Sequence, residues 1–246
     1  MEKNYKLVAM IPARMGSKRI PRKNIRYMMG KPLIQYPIDL ALGSNAFESV
    51  WVNTESVPLG HACEKMGAKF HKRPLELSSD TATNRDFVYE FLKNHECDYV
   101  VMINPTSPAL RPKTLNRFIQ FLQENTFDTV LSVESIQAEA FYQGKRINFT
   151  GEDKIPSQLL EPVEFVVWAL TAWRRETFIK MQENGECPIF GGNVGRFSIP
   201  KDESADLDTE DDWKIAEAAL LARKSIQIKE KEYLNLEDYL CDNPIT

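Results

Sequence analysis

The feature that most constrains the fold of this chain is an alternation of short apolar runs with longer amphipathic runs. Short apolar runs bounded by turn residues predict buried strands. The predicted strands are Leu7–Pro12, Ser49–Asn53, Ala68–His71, Asp98–Ile103 and Thr129–Val133. The amphipathic runs between them predict helices over 32–43, 57–66, 84–94 and 113–124. This alternation predicts an α/β, Rossmann-like fold, a mostly parallel sheet with helices on both faces.

The alternation is interrupted over residues 134–164, which are rich in polar residues, Gly and Pro. We interpret this stretch as a small inserted arm, since a long disordered loop is uncommon inside a compact domain. Strand character returns at Phe165–Trp173, and Asp208–Ala222 predicts a helix with an acidic start. Residues 1–246 therefore read as one domain, and no function is assigned to the segment 229–246.

Overall composition excludes several classes of protein. The net charge of −4 argues against a general polyanion binder, so no nucleic-acid partner is expected. No apolar run is long enough for a membrane span, and Arg14 interrupts the N-terminal apolar stretch too early for a signal peptide. The four cysteines form no CxxC pair, which favours a reducing, cytoplasmic location over a zinc or redox site. The histidines, His61, His71 and His95, form no HExxH pattern and are expected to be ordinary structural residues.

Charge is concentrated at two places. Residues 1–38 hold nine Lys or Arg and one acid, whereas residues 201–212 hold seven Asp or Glu and one Lys. The two segments are either separate solvated surfaces or the anion side and the metal side of one site.

The loop after the first predicted strand, within the run IPARMGSKRIPRKNI (11–25), has the chemistry of an anion site. Gly16 allows a close approach of the backbone to a ligand. Lys and Arg side chains suit phosphate oxygens, and successive backbone N–H groups in such a turn bind anions. Neither GxxxxGK[ST] nor GxGxxG is present. On the loop alone, an exposed basic loop or a weak nucleic-acid patch remains an alternative.

The order P-A-R, G-S-K, P-R-K-N in this loop resembles the signature of the acylneuraminate cytidylyltransferase family, which makes CMP-activated sugar acids. It is closer to the sialic, pseudaminic and legionaminic acid branch than to the Kdo branch. Three further stretches resemble family segments in the same order along the chain. They are RPLELSSDTATN (73–84), NPTSPALR (104–111) and SADLDTEDDW (204–213).

The resemblance implies a nucleotidyltransferase fold and transfer of CMP from CTP to the hydroxyl of a nonulosonic sugar acid, with release of pyrophosphate. It also implies Mg²⁺ as cofactor and a homodimer formed through the arm at 134–164. Transfer at the α-phosphate needs charge neutralisation and in-line placement. Lys23, Arg14 and Asp208 would be the catalytic residues. The implied nucleotide-binding residues are Arg14, Gly16, Ser17, Lys18, Lys23, Asn24, Arg73, Ala82 and Asn84, and the implied substrate-binding residues are Asn104, Thr106 and Ser107.

The acidic segment is the predicted metal side. Asp206 and Asp208 are two residues apart, so an extended backbone places both carboxylates on one side, as a hard cation requires. The alternative is a solvated loop in which Asp208 or Thr209 caps the following helix. Glu203, Glu210, Asp211 and Asp212 are expected to be surface charges or partners of the helix dipole.

The acceptor side departs from the family pattern. Asn104 stands where the sialic-acid branch usually has Gln, and Trp168 and Ala169 stand at its usual Asn-Gly pair. No Arg or Lys occurs from residue 155 to 173, although an acceptor carboxylate needs a cation or an N–H cluster. Substitutes to consider are Arg111, Lys145, Arg146, Arg174 and Arg175. Trp168 and Trp173 are expected to be core residues of the sheet.

Three alternative functions stay open on the sequence. The CTP site is retained in the first, but the acceptor is a Kdo-like sugar or a compound bearing a phosphate or phosphonate. The second is a non-catalytic nucleotide-binding protein, against which Lys23, Asp206 and Asp208 argue. The third is nucleic-acid binding through the basic loop, which would be strongly salt-dependent.

Overall fold

The computed structural model describes residues 5–152 and 154–225, so the segment 229–246 lies outside the described residues. The strands are β1 (Leu7–Pro12), β2 (Tyr27–Met28), β3 (Lys31–Pro32), β4 (Ser49–Thr54), β5 (Lys69–Lys72), β6 (Tyr99–Ile103), β7 (Thr129–Ile136), β8 (Phe141–Tyr142), β9 (Lys145–Arg146), β10 (Val163–Arg174) and β11 (Val194–Ser198). The α-helices are α1 (Gln35–Ser44), α2 (Val57–Lys65), α3 (Asn84–Asn94), α4 (Pro112–Glu124), α5 (Arg175–Glu183) and α6 (Glu210–Ser225). Short 3-10 helices lie at Lys23–Ile25, Leu75–Ser78, Ser157–Leu159, Pro188–Phe190 and Lys201–Glu203.

Seven of the strands form one sheet in the order β11-β7-β10-β6-β1-β4-β5. The pairs β1–β4, β1–β6, β4–β5 and β7–β11 are parallel, and β10 runs antiparallel to both of its neighbours. The predicted mostly parallel α/β sheet is therefore confirmed. Because β1, β4, β5 and β6 are parallel, their carboxyl ends meet at one edge, where open α/β sheets bind ligands.

Helices cover both faces of this sheet. On one face, side chains of α1, α2 and α4, including Ile38, Leu59 and Phe118, pack against the strands. On the other face, α3 and α5 contribute Phe91 and Phe178 to a second buried cluster. The five residues of β6 are all buried, as expected for a central strand covered on both faces.

A third apolar cluster fixes the position of the acidic segment. Leu207, Trp213 and Ala216, from α6 and the loop before it, pack against Ile20, Met28 and Leu33. Each of these side chains is at most 3% exposed. Burial of this much apolar surface holds the acidic loop against the basic loop. The two charged segments are therefore neighbours. The ion pair between Arg26 and Glu210, which are 184 residues apart in sequence, also shows this.

The arm differs from the prediction in its bounds. β7 and β10 extend beyond their neighbours in the sheet as an antiparallel ribbon, which ends where Ile136 lies opposite Val163. The arm that remains outside this β7–β10 pairing is therefore 137–162 rather than the predicted 134–164. These strand ends were not predicted because the end of β7 is partly exposed and polar. Without a buried face, a strand does not show the alternation of apolar and polar residues by which it is recognised. A small hairpin, β8–β9, lies within the arm.

Other predicted boundaries shift by a few residues. The first helix begins at Gln35 rather than Pro32, because Pro32 pairs with Tyr27 in the β2–β3 hairpin. The helix predicted over 84–94 is found with those bounds, and Thr83 and Asp86 form a capping box at its start. Among the described residues, no helix has the length and apolar character needed to cross a membrane.

Candidate active site

A cleft opens at the carboxyl edge of the sheet, beside the ends of β1 and β6. It contains about 730 Å³ of empty space, open solvent included. Five of the residues that line it are cations: Arg14, Lys18, Arg19 and Lys23 of the basic loop, and Arg73. The other lining residues are Pro12, Ser17, Ile20, Asn24, Asn84, Phe87, Asn104 and Thr106. Three separate sequence segments thus converge on one cleft.

Most of the residues implied by the resemblance line this cleft, and five do not. The five that are absent from its lining are Gly16, Ala82, Ser107, Asp206 and Asp208. Gly16 does not have a positive φ, and a Cβ there would meet no protein atom, so the fold itself does not require a glycine at this position. Ser107 is 4% exposed, and its hydroxyl oxygen has no hydrogen-bond partner.

The cations of the basic loop are held by neighbouring groups. Arg14 Nη1 lies 3.1 Å from Asp80 Oδ1 and donates to the Ser79 carbonyl at 3.0 Å. Lys18 forms an ion pair with the other oxygen of Asp80. Arg19 Nη1 lies 2.7 Å from Asp208 Oδ2. The Asn24 side-chain amide donates to the Arg14 carbonyl at 2.9 Å, so it stabilises the backbone of the basic loop.

Lys23 connects the basic loop to the acidic segment. Its ammonium group donates to the Leu207 carbonyl at 2.6 Å. Burial lowers the pKa of Lys23, and the negative charges of Asp206 and Asp208 oppose that effect. The residue before it, Arg22, has φ 55° and ψ 30°, a left-handed conformation that is rare for a residue other than Gly or Asn. This backbone turn precedes the short helix that carries Lys23 and Asn24.

Two carboxylates lie beside Lys23. Desolvation raises the pKa of Asp206, the nearby charge of Asp208 raises it further, and a hydrogen bond from Thr106 opposes both. Of the two residues considered as caps of the following helix, Thr209 is found in that role and the Asp208 side chain is not. Asp212 N donates to Thr209 Oγ1 at 3.2 Å and Thr209 N donates to the Asp212 carboxylate at 2.7 Å, so these two residues cap α6.

The donor set fits a hard divalent cation. Among residues 5–152 and 154–225, no three His, Cys, Asp or Glu side chains gather as a complete metal site. The charge of Asp208 is close enough to Asp206 to raise its pKa. Mg²⁺ typically uses one or two carboxylates and takes its remaining ligands from water and substrate phosphates. The two aspartates therefore suit Mg²⁺ carried by a nucleotide better than a permanently bound metal.

A rigid pocket lies at the end of the cleft near β4 and β5. Arg73 is 3% exposed, and burial lowers its pKa to about 10. Its Nε donates to Asn53 Oδ1 at 2.6 Å and its Nη2 donates to the Asn53 carbonyl at 2.8 Å. The guanidinium also lies 4.3 Å from the centre of the Phe87 ring. Sequence reasoning found Arg73 and Asn84 but missed Asn53 and Phe87, which orient the arginine.

A loop between β6 and α4 is joined to the acidic segment. Leu207 N donates to the Thr106 carbonyl at 3.0 Å. Glu203, expected to be a surface charge or a partner of a helix dipole, is 1% exposed and is therefore not a surface charge. Its carboxylate accepts from Arg111 N at 2.9 Å and from Thr114 Oγ1 at 3.0 Å. It lies at the start of α4, where a carboxylate is stabilised by the free N–H groups and the helix dipole, and the tertiary fold brings the two together.

The cations considered for an acceptor carboxylate are mostly unsuited to it within one chain. Arg174 lies opposite Tyr99, at the amino end of β6 and away from the cleft, and Arg175 donates to the Leu92 carbonyl at that same end. Arg111 is paired with Asp202 and Glu203. Only Lys145 and Arg146, both exposed on β9, remain of the five.

The two tryptophans differ. Trp173 is 1% exposed and belongs to the core, as expected. Trp168 is only partly buried, and its ring centre lies 5.8 Å from that of Phe190, a residue that is 55% exposed. The next residue, Ala169, accepts a hydrogen bond from Asn104 N at 3.0 Å. The Trp168 side chain packs against the second buried cluster and is not among the residues that line the cleft.

Comparison with known proteins is consistent with this geometry. A family model described as "Cytidylyltransferase" matches residues 8–150. N-acylneuraminate cytidylyltransferase A of Danio rerio is 32% identical over 231 residues, which cover 89% of this chain and 52% of that protein. The CMP-N,N'-diacetyllegionaminic acid synthase of Legionella pneumophila is 35% identical over 137 residues, or 53% of this chain and 59% of that protein.

The chain spans about half the length of these curated relatives. Among solved structures, a CMP:2-keto-3-deoxy-manno-octonic acid synthetase complexed with CTP superposes with a TM-score of 0.63. It is 20% identical, and the match covers 89% of this chain and 99% of that one. At this identity the match supports the fold.

Proposed function

This chain belongs to the cytidylyltransferase family, and on that premise we propose that it transfers CMP from CTP to the hydroxyl group of a nonulosonic, sialic-acid-like sugar acid. The observation that carries the proposal is the meeting of the basic loop and the acidic segment beside this cleft. Four cations of the basic loop line the cleft, and Asp206 and Asp208 are close enough to Lys23 to affect its pKa. A triphosphate with several negative charges suits the cations, and its metal ion suits the carboxylates.

The nucleotide would lie across the cleft with its base toward the rigid end. Arg73, fixed by Asn53 and packed on Phe87, offers a planar donor group that pays little entropy on binding. Asn84, the first residue of α3, is the neighbouring polar group in the cleft. A pocket of fixed donors discriminates between bases because a wrong base leaves buried polar groups unpaired.

The reaction would proceed by in-line displacement at the α-phosphorus. The acceptor oxygen forms a bond to that phosphorus, and the bond to the oxygen bridging the α- and β-phosphates breaks, so pyrophosphate leaves with the bonding electrons. The acceptor hydroxyl loses its proton to solvent. Lys23, whose ammonium group lies in the field of Asp206 and Asp208, is placed to stabilise charge that develops on the α-phosphate. Arg14, Ser17 and Lys18 would hold the β- and γ-phosphates.

Magnesium is the expected cofactor, held by Asp206 and Asp208. When bound, it would neutralise phosphate charge and lower the pKa of the acceptor hydroxyl. Desolvation is the largest cause of the raised pKa of Asp206, and the neighbouring charge of Asp208 adds to it. A divalent cation held there would favour the ionised form of Asp206. Thr209 and Asp212 cap α6, which leaves Asp208 free to exchange Arg19 for a metal ion.

The acceptor would bind beside Asn104 and Thr106, which line the cleft. Of the five cations considered for the acceptor carboxylate, Lys145 and Arg146 remain, and both lie on β9 of the arm. The arm also carries exposed apolar side chains, including Phe141 at 62%, Tyr142 at 66% and Ile147 at 53%. A homodimer formed through the arm would bury these side chains.

The test is a matrix of pyrophosphate release. With Mg²⁺ present, the four nucleoside triphosphates are crossed with several nonulosonic acids, Kdo, and compounds bearing phosphate or phosphonate. Release with CTP and a nonulosonic acid supports the proposal. Release only with a phosphate- or phosphonate-bearing acceptor keeps the nucleotide chemistry but replaces the acceptor. CTP binding without release across the panel would favour a non-catalytic nucleotide-binding protein.

A further inference from the structure

Asp80 lies where a phosphate group would be expected. One of its oxygens is 3.1 Å from Arg14 Nη1, and the other forms an ion pair with Lys18. Both cations line the cleft. The hydrogen bond from Lys18 is the largest influence on Asp80 and lowers the pKa of its carboxyl, so the group is ionised at neutral pH. A carboxylate that bridges an arginine and a lysine uses the donors that phosphate oxygens would use.

The segment that carries Asp80 is tied to the basic loop mainly through these donors. Arg14 Nη1 also contacts the Ser78 and Ser79 carbonyls, at 3.5 and 3.0 Å. Asp80 itself is not enclosed, since its side chain is 49% exposed. Exposed ion pairs of this kind contribute little to stability, so exchanging this partner for a ligand of higher charge costs little.

We propose that Asp80 is a positioning residue that occupies the triphosphate-binding cations in the empty site and gives them up to the β- and γ-phosphates. This inference rests on the proposed function, because it takes CTP as the ligand. Asp80 acts through Arg14 and Lys18 and has no contact with the reacting α-phosphorus. It keeps the two cations together before binding, and it returns to them when pyrophosphate departs.

Asp80 should affect the binding of triphosphate and pyrophosphate differently from the binding of CMP. Asp80 competes with CTP and with inorganic pyrophosphate, which both carry the phosphates that Arg14 and Lys18 would bind. It does not compete with CMP, whose single phosphate would lie near Lys23. A residue that merely maintained the fold of the loop would affect all three ligands in the same direction.

The experiment is isothermal titration of the full chain with CTP, pyrophosphate and CMP, with Mg²⁺ present and acceptor omitted so that no turnover occurs. Wild type is compared with Asp80→Asn and with Asp80→Ala, which checks that the new amide adds no contact. Asp39→Asn is the matched control. It removes the same charge from an exposed ion pair with Lys31, at 2.6 Å, outside the lining of the cleft.

Both Asp80 variants should bind CTP and pyrophosphate about threefold to tenfold more tightly, the effect of removing one screened charge within about 10 Å of a polyanion. CMP binding should change less than about twofold on the same reasoning, and Asp39→Asn should match wild type. Weaker or unchanged CTP and pyrophosphate binding overturns the inference, as does an equal change for CMP. If wild type binds neither CTP nor pyrophosphate, the proposed function fails, and the inference fails with it.

Discussion

Replacement of Lys23 by Ala is the sharpest test of how the cleft would work. In the structure, the Lys23 ammonium group donates to the Leu207 carbonyl and lies in the field of Asp206 and Asp208. It therefore joins the basic loop to the acidic segment at the point where the α-phosphate is proposed to lie. The substitution removes a positive charge there and leaves the cations proposed to hold the β- and γ-phosphates in place.

The size of the effect follows from these contacts. Loss of one preorganised donor to a transition state typically lowers kcat by about 10²- to 10³-fold, or about 2.7–4 kcal/mol. The ground-state cost is smaller, since Arg14, Lys18 and Arg19 also line the cleft. We expect CTP to bind within about tenfold of wild type, a loss of about 1.4 kcal/mol. The free energy of unfolding should fall by about 1 kcal/mol, because the Leu207 carbonyl loses this donor.

The assay is single-turnover release of pyrophosphate at saturating CTP, with the CTP dissociation constant measured separately by titration. Lys31→Ala is the control, since Lys31 pairs with Asp39 and does not line the cleft. If turnover of Lys23→Ala stays within about fivefold of wild type, the decrease is much smaller than that expected for loss of a transition-state donor, and the role assigned to Lys23 is refuted. If CTP binding weakens by the same factor as turnover falls, Lys23 contributes to ground-state binding of CTP and not to the transition state.

Three further predictions follow from the same structure. Asp208→Asn should abolish Mg²⁺-dependent turnover and weaken binding of Mn²⁺ with CTP, followed by electron paramagnetic resonance; unchanged metal binding would contradict the metal assignment. Replacing Phe141 and Tyr142 by Asp should convert a dimer into monomers in light scattering, and an unchanged mass would exclude this part of the arm from the interface. Burial, the neighbouring His71 and the charge of Lys69 lower the pKa of His95 to about 4, so protonation favours the unfolded chain and stability falls as the pH drops from about 6.5 towards 4. Urea unfolding should show wild type losing about 1–2 kcal/mol more than His95→Gln across that window, and equal losses would contradict the reasoning.

The sequence predicted the sheet and helices well because buried strands and amphipathic helices leave local patterns. β1 and α3 were found with the bounds that the sequence predicted. The antiparallel direction of β10 was not predicted, since an apolar run has the same pattern in either direction. The ends of β7 and β10 were missed because their ribbon is partly exposed and therefore lacks strict alternation.

The candidate site was predicted to the extent that its residues occur in recognisable segments. Proximity of the basic loop and the acidic segment was one of two outcomes considered from the sequence, and the structure shows that they are neighbours because Leu207 and Trp213 pack against Ile20. No local pattern shows a contact between residues so far apart in sequence. For the same reason the role of Asn53 was missed and the burial of Glu203 was not expected, because each depends on a partner in another segment.

The most direct test of the central claim is the fate of the α-phosphorus of CTP. CTP labelled with ³²P at the α-phosphate is incubated with the chain, Mg²⁺ and a nonulosonic acid, and the products are separated by anion-exchange chromatography. The account predicts that the label moves into a new CMP–sugar compound, while the released pyrophosphate is unlabelled. If CTP binds but the label stays in CTP or appears only as free CMP with every acceptor tested, cytidylyl transfer is not the function of this cleft.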